Sequence, residues 1–161
     1  MQIAIGTKLP DVTFTVMTEG GPAAKKTAEL FAGKTVALFA VPGAFTPTCH
    51  AKHLPSFIEG LDALKKKGVD MVACTAVNDV FVLNEWSKAQ NAHGKITFLA
   101  DGSALFAKSV GLEIDLTERG LGVRSKRYAM LVKDGVIKAL NVEEVPSKME
   151  KSSAAELLKA L

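Results

Sequence analysis

The chain has 161 residues, 48% of them hydrophobic and 23% charged, a composition that points away from a disordered or membrane chain and is enough for a buried core. Its 20 basic and 17 acidic residues leave a formal charge of +3, too slight for a nucleic-acid footprint, and Lys65-Lys66-Lys67 reads as a solvated helix end. Two cysteines are too few for a secreted disulfide framework, and the three histidines stand at no metal-ligand spacing with them, so no metal or other cofactor is expected.

The first element is a strand over residues 12–16, where Val and Phe alternate with Thr, and Gly20-Gly21-Pro22 breaks it. Residues 27–31 make at most a short helix. The run Thr35-Val36-Ala37-Leu38-Phe39-Ala40-Val41 is apolar enough to be buried on both faces of a sheet. Val41-Pro42-Gly43-Ala44-Phe45-Thr46-Pro47-Thr48-Cys49-His50 then joins that strand to a helix reaching about Lys67, with Gly68 as its C-terminal cap. A second apolar run, 69–77, contains Cys74, and Asn78-Asp79 offers caps for a helix over 80–90. A short strand at 96–100 and a short helix capped by Ser103 and ending at Gly111 follow. Glycines 111, 120 and 122 make 112–125 a loop-rich excursion. Residues 128–132 and 136–140, separated by Lys133-Asp134-Gly135, predict a hairpin. Residues 141–151 read as an exposed connection, and Ser152-Ser153-Ala154-Ala155-Glu156 starts a terminal helix anchored by Leu157, Leu158 and Leu161. The order predicts one α/β domain over residues 1–161, a mixed sheet flanked by helices.

Cys49 stands where a strand hands over to a helix, in a turn stiffened by Pro42 and Pro47. A helix start offers unpaired N–H groups and a partial positive charge, which favour a reactive thiol over inert filling. Packing alone gives no reason for so constrained a loop.

The spacing Pro42-x-x-x-Thr46-x-x-Cys49 resembles the active-site signature of the peroxiredoxins, and the fuller Val-Pro-Gly-Ala-Phe-Thr-Pro-Thr-Cys resembles their type II, or peroxiredoxin 5-like, group. The likeness continues through His53-Leu54-Pro55-Ser56-Phe57, Val77-Asn78-Asp79, Phe98-Leu99-Ala100-Asp101-Gly102 and Lys126-Arg127-Tyr128-Ala129-Met130-Leu131-Val132, in order along the chain. It implies a thioredoxin-like fold and a thiol peroxidase acting on hydrogen peroxide and alkyl hydroperoxides. By the same resemblance Cys49 is the peroxidatic cysteine, which becomes a sulfenic acid. Pro42 shields it, and the Thr46 hydroxyl, the backbone N–H groups of Thr48 and Cys49 and an arginine polarise the peroxide. Among Arg119, Arg124 and Arg127, the type II pattern points to Arg127, immediately before Tyr128.

His50 replaces the Ser common after this cysteine and reads as a first-turn residue facing solvent, with tuning of local charge as the alternative. His53 reads as a satisfied structural histidine. Cys74 is by default an inert core thiol. Its spacing from Cys49 nevertheless matches the second cysteine of many type II members, so resolution by Cys74 and attack by an outside thiol both stay open. No fused glutaredoxin domain is evident, which implies reduction by glutathione with glutaredoxin or by thioredoxin. The resemblance further implies a homodimer, with Phe45 and residues 78–81 at its interface. The absence of a signal pattern or membrane-length apolar stretch predicts a cytoplasmic protein without membrane or nucleic-acid partners. Two competing readings are a cysteine hydrolase, which would need a base, and a redox sensor using the same thiol.

Overall fold

The computed structural model describes residues 1–161. In chain order it contains β1 (Thr13–Thr18), β2 (Gly21–Lys26), α1 (Thr27–Phe31), β3 (Thr35–Ala40), a π turn (Cys49–His53) and α2 (Leu54–Lys66). Then come β4 (Met71–Ala76), α3 (Val80–Ala89), β5 (Thr97–Ala100), α4 (Leu105–Ser109) and β6 (Glu113–Leu116). A 3-10 turn (Thr117–Arg119), β7 (Gly122–Ser125), β8 (Tyr128–Lys133), β9 (Val136–Val142) and α5 (Ala154–Leu158) complete it.

Seven strands form one mixed sheet in the order β2-β1-β5-β4-β3-β8-β9. Strand periodicity sends alternate side chains to opposite faces, and β3 shows the result. Val36, Leu38 and Ala40 join Phe14, Phe31, Phe106 and Met130 in one core, with side chains from α1 and α4. Ala37, Phe39 and Val41 join Phe57, Leu64, Leu83, Trp86 and Leu157 in the other, with side chains from α2, α3 and α5. The architecture is therefore the expected mixed sheet between helices, closed by a hairpin and a terminal helix.

Three local readings change. Gly20-Gly21-Pro22 does not end the first strand's pairing but turns the chain into β2, which pairs antiparallel with β1. Pro22 is tolerated because β2 is an edge strand. Residues 112–125 contain a two-stranded antiparallel sheet, β6 with β7, rather than a loop, and Gly120 at φ +73° makes its turn. The helix after Gly102 is capped not by Ser103 but by the buried Asp101 carboxylate, which accepts from the N–H groups of Phe106 (3.0 Å) and Ala107 (2.9 Å).

Sheet order is what positions the site. The turn after β3 emerges between two neighbours: the end of parallel β4 and the beginning of antiparallel β8, where Ala40 pairs with Tyr128. Arg127 consequently reaches the mouth of β3 although it lies far along the chain.

Helices α2 and α5 meet closely at Gly60, where an added Cβ would stand 2.7 Å from the Ala154 Cβ. In an open helix Gly→Ala gains roughly 1 kcal/mol of propensity. Here the overlap with a rigid methyl should outweigh it, so Gly60→Ala is expected to lower stability by about 1 kcal/mol in urea unfolding; a stabilised variant would show that α5 yields freely.

Candidate active site

The turn after β3 is held from both sides. Asn78, just beyond β4, accepts the Ala44 N–H through its Oδ1 (2.9 Å), and Arg124 of β7 donates through Nη1 to the Pro42 carbonyl (3.3 Å). Within the turn, the Thr46 hydroxyl donates to the Gly43 carbonyl at 2.6 Å. That hydrogen bond uses the hydroxyl's only proton, so toward any ligand Thr46 can act as an acceptor.

Pro47 opens the helix, and the π turn over Cys49–His53 follows at once. Pro55 supplies a cause: it has no N–H and its ring crowds the carbonyl one turn back, so the backbone widens and Leu54 N–H reaches the Cys49 carbonyl. His50 N–H pairs with Thr46 O (2.9 Å), while the N–H groups of Thr48 and Cys49 have no backbone acceptor, as the sequence led one to expect at a helix start.

Cys49 and His53 turn inward and are both fully buried. Arg127, 2% exposed, meets them: Nη2 donates to Cys49 Sγ at 3.0 Å, Nη1 to His53 Nδ1 at 3.0 Å, and Nε to the Pro146 carbonyl at 2.9 Å. His53 Nε2 lies 2.8 Å from the Ser152 carbonyl. A carbonyl can only accept, so Nε2 carries the proton and Nδ1 is free to receive the guanidinium. Phe39 and Phe57, stacked at 4.1 Å with 8° between their planes, wall the imidazole in. Burial first, and the Arg127 charge second, push the His53 pKa down to about 3, against weaker opposition from the Ser152 contact and the Glu143 charge. At that value His53 is neutral and too weakly basic to hold a proton taken from Cys49 at neutral pH.

Pro42, Thr46, Thr48, Cys49 and Arg127 all fall on or against this turn. Arg124 only rims it, and Arg119 sits in the 3-10 turn beyond β6. His50 does not face solvent as expected: the Trp86 indole N–H donates to its Nδ1 at 3.1 Å, and Phe45 stacks on the ring at 5.8 Å. Cys74, central in β4, is fully buried in the same core cluster as Cys49. Burial, reinforced by the neighbouring Cys49, pushes its thiol well up, and the Arg127 charge offsets this only in part. No group of three or more His, Cys, Asp or Glu side chains converges to hold a metal ion. Sequence reading missed the contribution of residues 143–152, because it comes through backbone carbonyls that carry no side-chain signal.

This geometry has close counterparts. The Redoxin family model matches residues 4–158. The chain is 48% identical to chloroplastic peroxiredoxin-2E-2 of Oryza sativa subsp. japonica, over 99% of this chain and 72% of that protein. It is 46% identical to peroxiredoxin-2B of Arabidopsis thaliana, over 99% and 98%. A crystal structure of reduced Prx3 in complex with hydrogen peroxide, from Vibrio vulnificus, superposes with a TM-score of 0.94 at 50% identity, covering 99% of each chain. The chain belongs to the type II peroxiredoxins. As a member of the thioredoxin-like superfamily it is a thiol-dependent peroxidase, with peroxide as oxidant and a thiol as reductant.

For this peroxiredoxin the neutral His53 has a measurable consequence. The unfolded chain binds the imidazole proton at about 6.5 and the folded chain at about 3, so between these values the unfolded state holds more protons. Stability is complete above pH 6.5 and falls as pH drops toward 3, by on the order of 4–5 kcal/mol from this group. Urea titrations across that range should show the loss in wild type and a slope smaller by one proton in His53→Gln; equal slopes would assign the acid sensitivity elsewhere.

Proposed function

We propose that Cys49 is the sulfur with which this thiol peroxidase splits hydrogen peroxide and alkyl hydroperoxides, assisted by Arg127, Thr46, Pro42 and the N–H groups of Thr48 and Cys49. One observation supports this above others. Arg127 is buried, yet all four ion pairs of the structure join exposed Lys and Glu side chains, and none includes a carboxylate for this guanidinium. An isolated buried cation is costly. Cys49 sulfur as an anion, 3.0 Å away, supplies the missing counter-charge.

In the reaction the Cys49 sulfur donates an electron pair to one peroxide oxygen. An S–O bond forms, the O–O bond breaks, and the second oxygen leaves with the bonding pair and takes up a proton as water or alcohol. The sulfur is oxidised to sulfenic acid and the peroxide is reduced. Arg127 and the free N–H groups of Thr48 and Cys49 act where negative charge grows on the oxygens, and Thr46 accepts the peroxide O–H and so sets its orientation. Pro42, itself buried, keeps water from the sulfur.

A thiol must then reduce the sulfenic acid, and glutathione with glutaredoxin, or thioredoxin, is the proposed source. The other route, resolution by Cys74, requires local unfolding, because that thiol lies buried in a central strand and its surroundings keep it protonated. Phe45 and Phe81, 51% and 62% exposed, are the apolar side chains proposed to meet a second copy of the chain. Two unpaired cysteines suit a reducing compartment, and we place the protein in the cytoplasm, although the rice relative is named chloroplastic.

Stopped-flow measurement with hydrogen peroxide tests the assignment. Cys49→Ser should abolish turnover, and Arg127→Gln should lower the peroxide rate constant more than about tenfold while the far-ultraviolet spectrum is kept; a near-native rate in Arg127→Gln would move the donor role to Arg124. Mass spectrometry after one equivalent of peroxide separates the two recycling routes. An intramolecular disulfide in wild type that disappears in Cys74→Ser assigns resolution to Cys74, whereas a sulfenic acid or glutathione adduct in both assigns it to an outside thiol.

A further inference from the structure

Residues 143–152 form a strap after β9 that touches three side chains of the site through backbone oxygens. The Pro146 carbonyl accepts from Arg127 Nε (2.9 Å), the Ser147 carbonyl from the Thr48 hydroxyl (2.8 Å), and the Ser152 carbonyl from His53 Nε2 (2.8 Å). Little apolar packing holds the strap down: Val145 is 43% exposed, and only Glu143 and Ser152 within it are buried. These two residues are bonded to each other. The Glu143 carboxylate accepts from the N–H groups of Glu150 (3.0 Å), Lys151 (2.8 Å) and Ser152 (2.7 Å) and from the Ser152 hydroxyl. Its own N–H donates to the Arg127 carbonyl at 3.0 Å.

We propose that Glu143 is a positioning residue for the peroxidatic centre: its carboxylate folds the strap so that the Ser152 and Pro146 carbonyls fix the His53 tautomer and aim the Arg127 guanidinium at Cys49. This rests on the assignment of Cys49 and Arg127 made above. A carboxylate is needed at this place because it is purely an acceptor, with lone pairs enough for four converging donors, whereas a Gln would turn its own N–H2 toward them. Burial acts to raise the carboxyl's pKa, but the Ser152 hydroxyl and the three N–H donors outweigh it and hold the group below the usual range, so the acceptor stays ionised at neutral pH. The chain of contacts runs from Glu143 through Ser152 and His53 to Arg127 and ends on the sulfur. Each link is a buried or half-buried hydrogen bond, so slack at one end is transmitted to the other.

The test compares two reactions of one sulfur in the same variants. Peroxide cleavage needs the guanidinium in place, while alkylation by a neutral haloacetamide needs only an accessible, reactive sulfur. In Glu143→Gln the peroxide rate constant should fall by roughly tenfold, at least five times more than the alkylation rate. Nitrogen-15 spectra of His53 should change from a single Nε2–H tautomer to a mixture. Unchanged peroxide rate and tautomer in the folded variant, or equal losses in both reactions, would overturn the proposal. Should Glu143→Gln not fold, Ser152→Ala removes only the hydroxyl donor: it should slow peroxide cleavage by about threefold, with recovery in Ser152→Thr, and a neutral Ser152→Ala overturns the proposal equally. Peroxidase activity remaining in Cys49→Ser would instead refute the underlying assignment, which keeps the two failures apart.

Discussion

A buried guanidinium without a carboxylate is the constraint on which the rest of this structure depends. Removing Arg127 from water carries a large desolvation cost, and the fold meets it with a sulfur, an imidazole nitrogen and a backbone carbonyl. Each acceptor is fixed by a different element. The sulfur comes from the π turn, the imidazole is held between Phe39, Phe57 and the Ser152 carbonyl, and the carbonyl belongs to the strap. The direction of the guanidinium is thereby fixed by the fold itself, the preorganisation on which the role proposed for it depends.

Burial alone does not distinguish the two cysteines. Both are fully buried and both belong to one apolar cluster. Cys49 has a guanidinium in hydrogen-bond contact and two spare N–H groups beside it. Cys74 has strand neighbours, Phe39 and Phe98, and a thiol pushed upward by its surroundings. A sulfur at a strand-to-helix turn and a sulfur within a strand differ in the dipoles around them, even where their apolar contacts are alike.

Much of this was legible in the residues. Apolar runs marked β3 and β4, Lys133-Asp134-Gly135 marked the hairpin, and Asp79 and Ser153 are the helix caps they seemed, accepting from Val82 N–H (2.9 Å) and Glu156 N–H (3.2 Å). Where the reading failed, a local rule was overridden. Pro22 breaks a central strand but not an edge one, and glycines 120 and 122 in left-handed conformations turn a hairpin rather than dissolve it. His50 followed the general preference of first-turn residues for solvent until Trp86 and Phe45 covered it.

By itself the sequence determined β3, β4, the late hairpin, the terminal helix and the strand-to-helix turn at Cys49, since apolar period, proline restriction and helix-start chemistry act over a few neighbouring residues. Tertiary structure brought Arg127, the arginine the type II pattern pointed to, against the sulfur, decided which nitrogen of His53 carries its proton, and laid the carbonyls of an exposed-looking strap against the site. Those contacts join residues 74, 78 and 99 positions apart, and they depend on β8 running antiparallel beside β3 and on carbonyl directions that no residue name encodes.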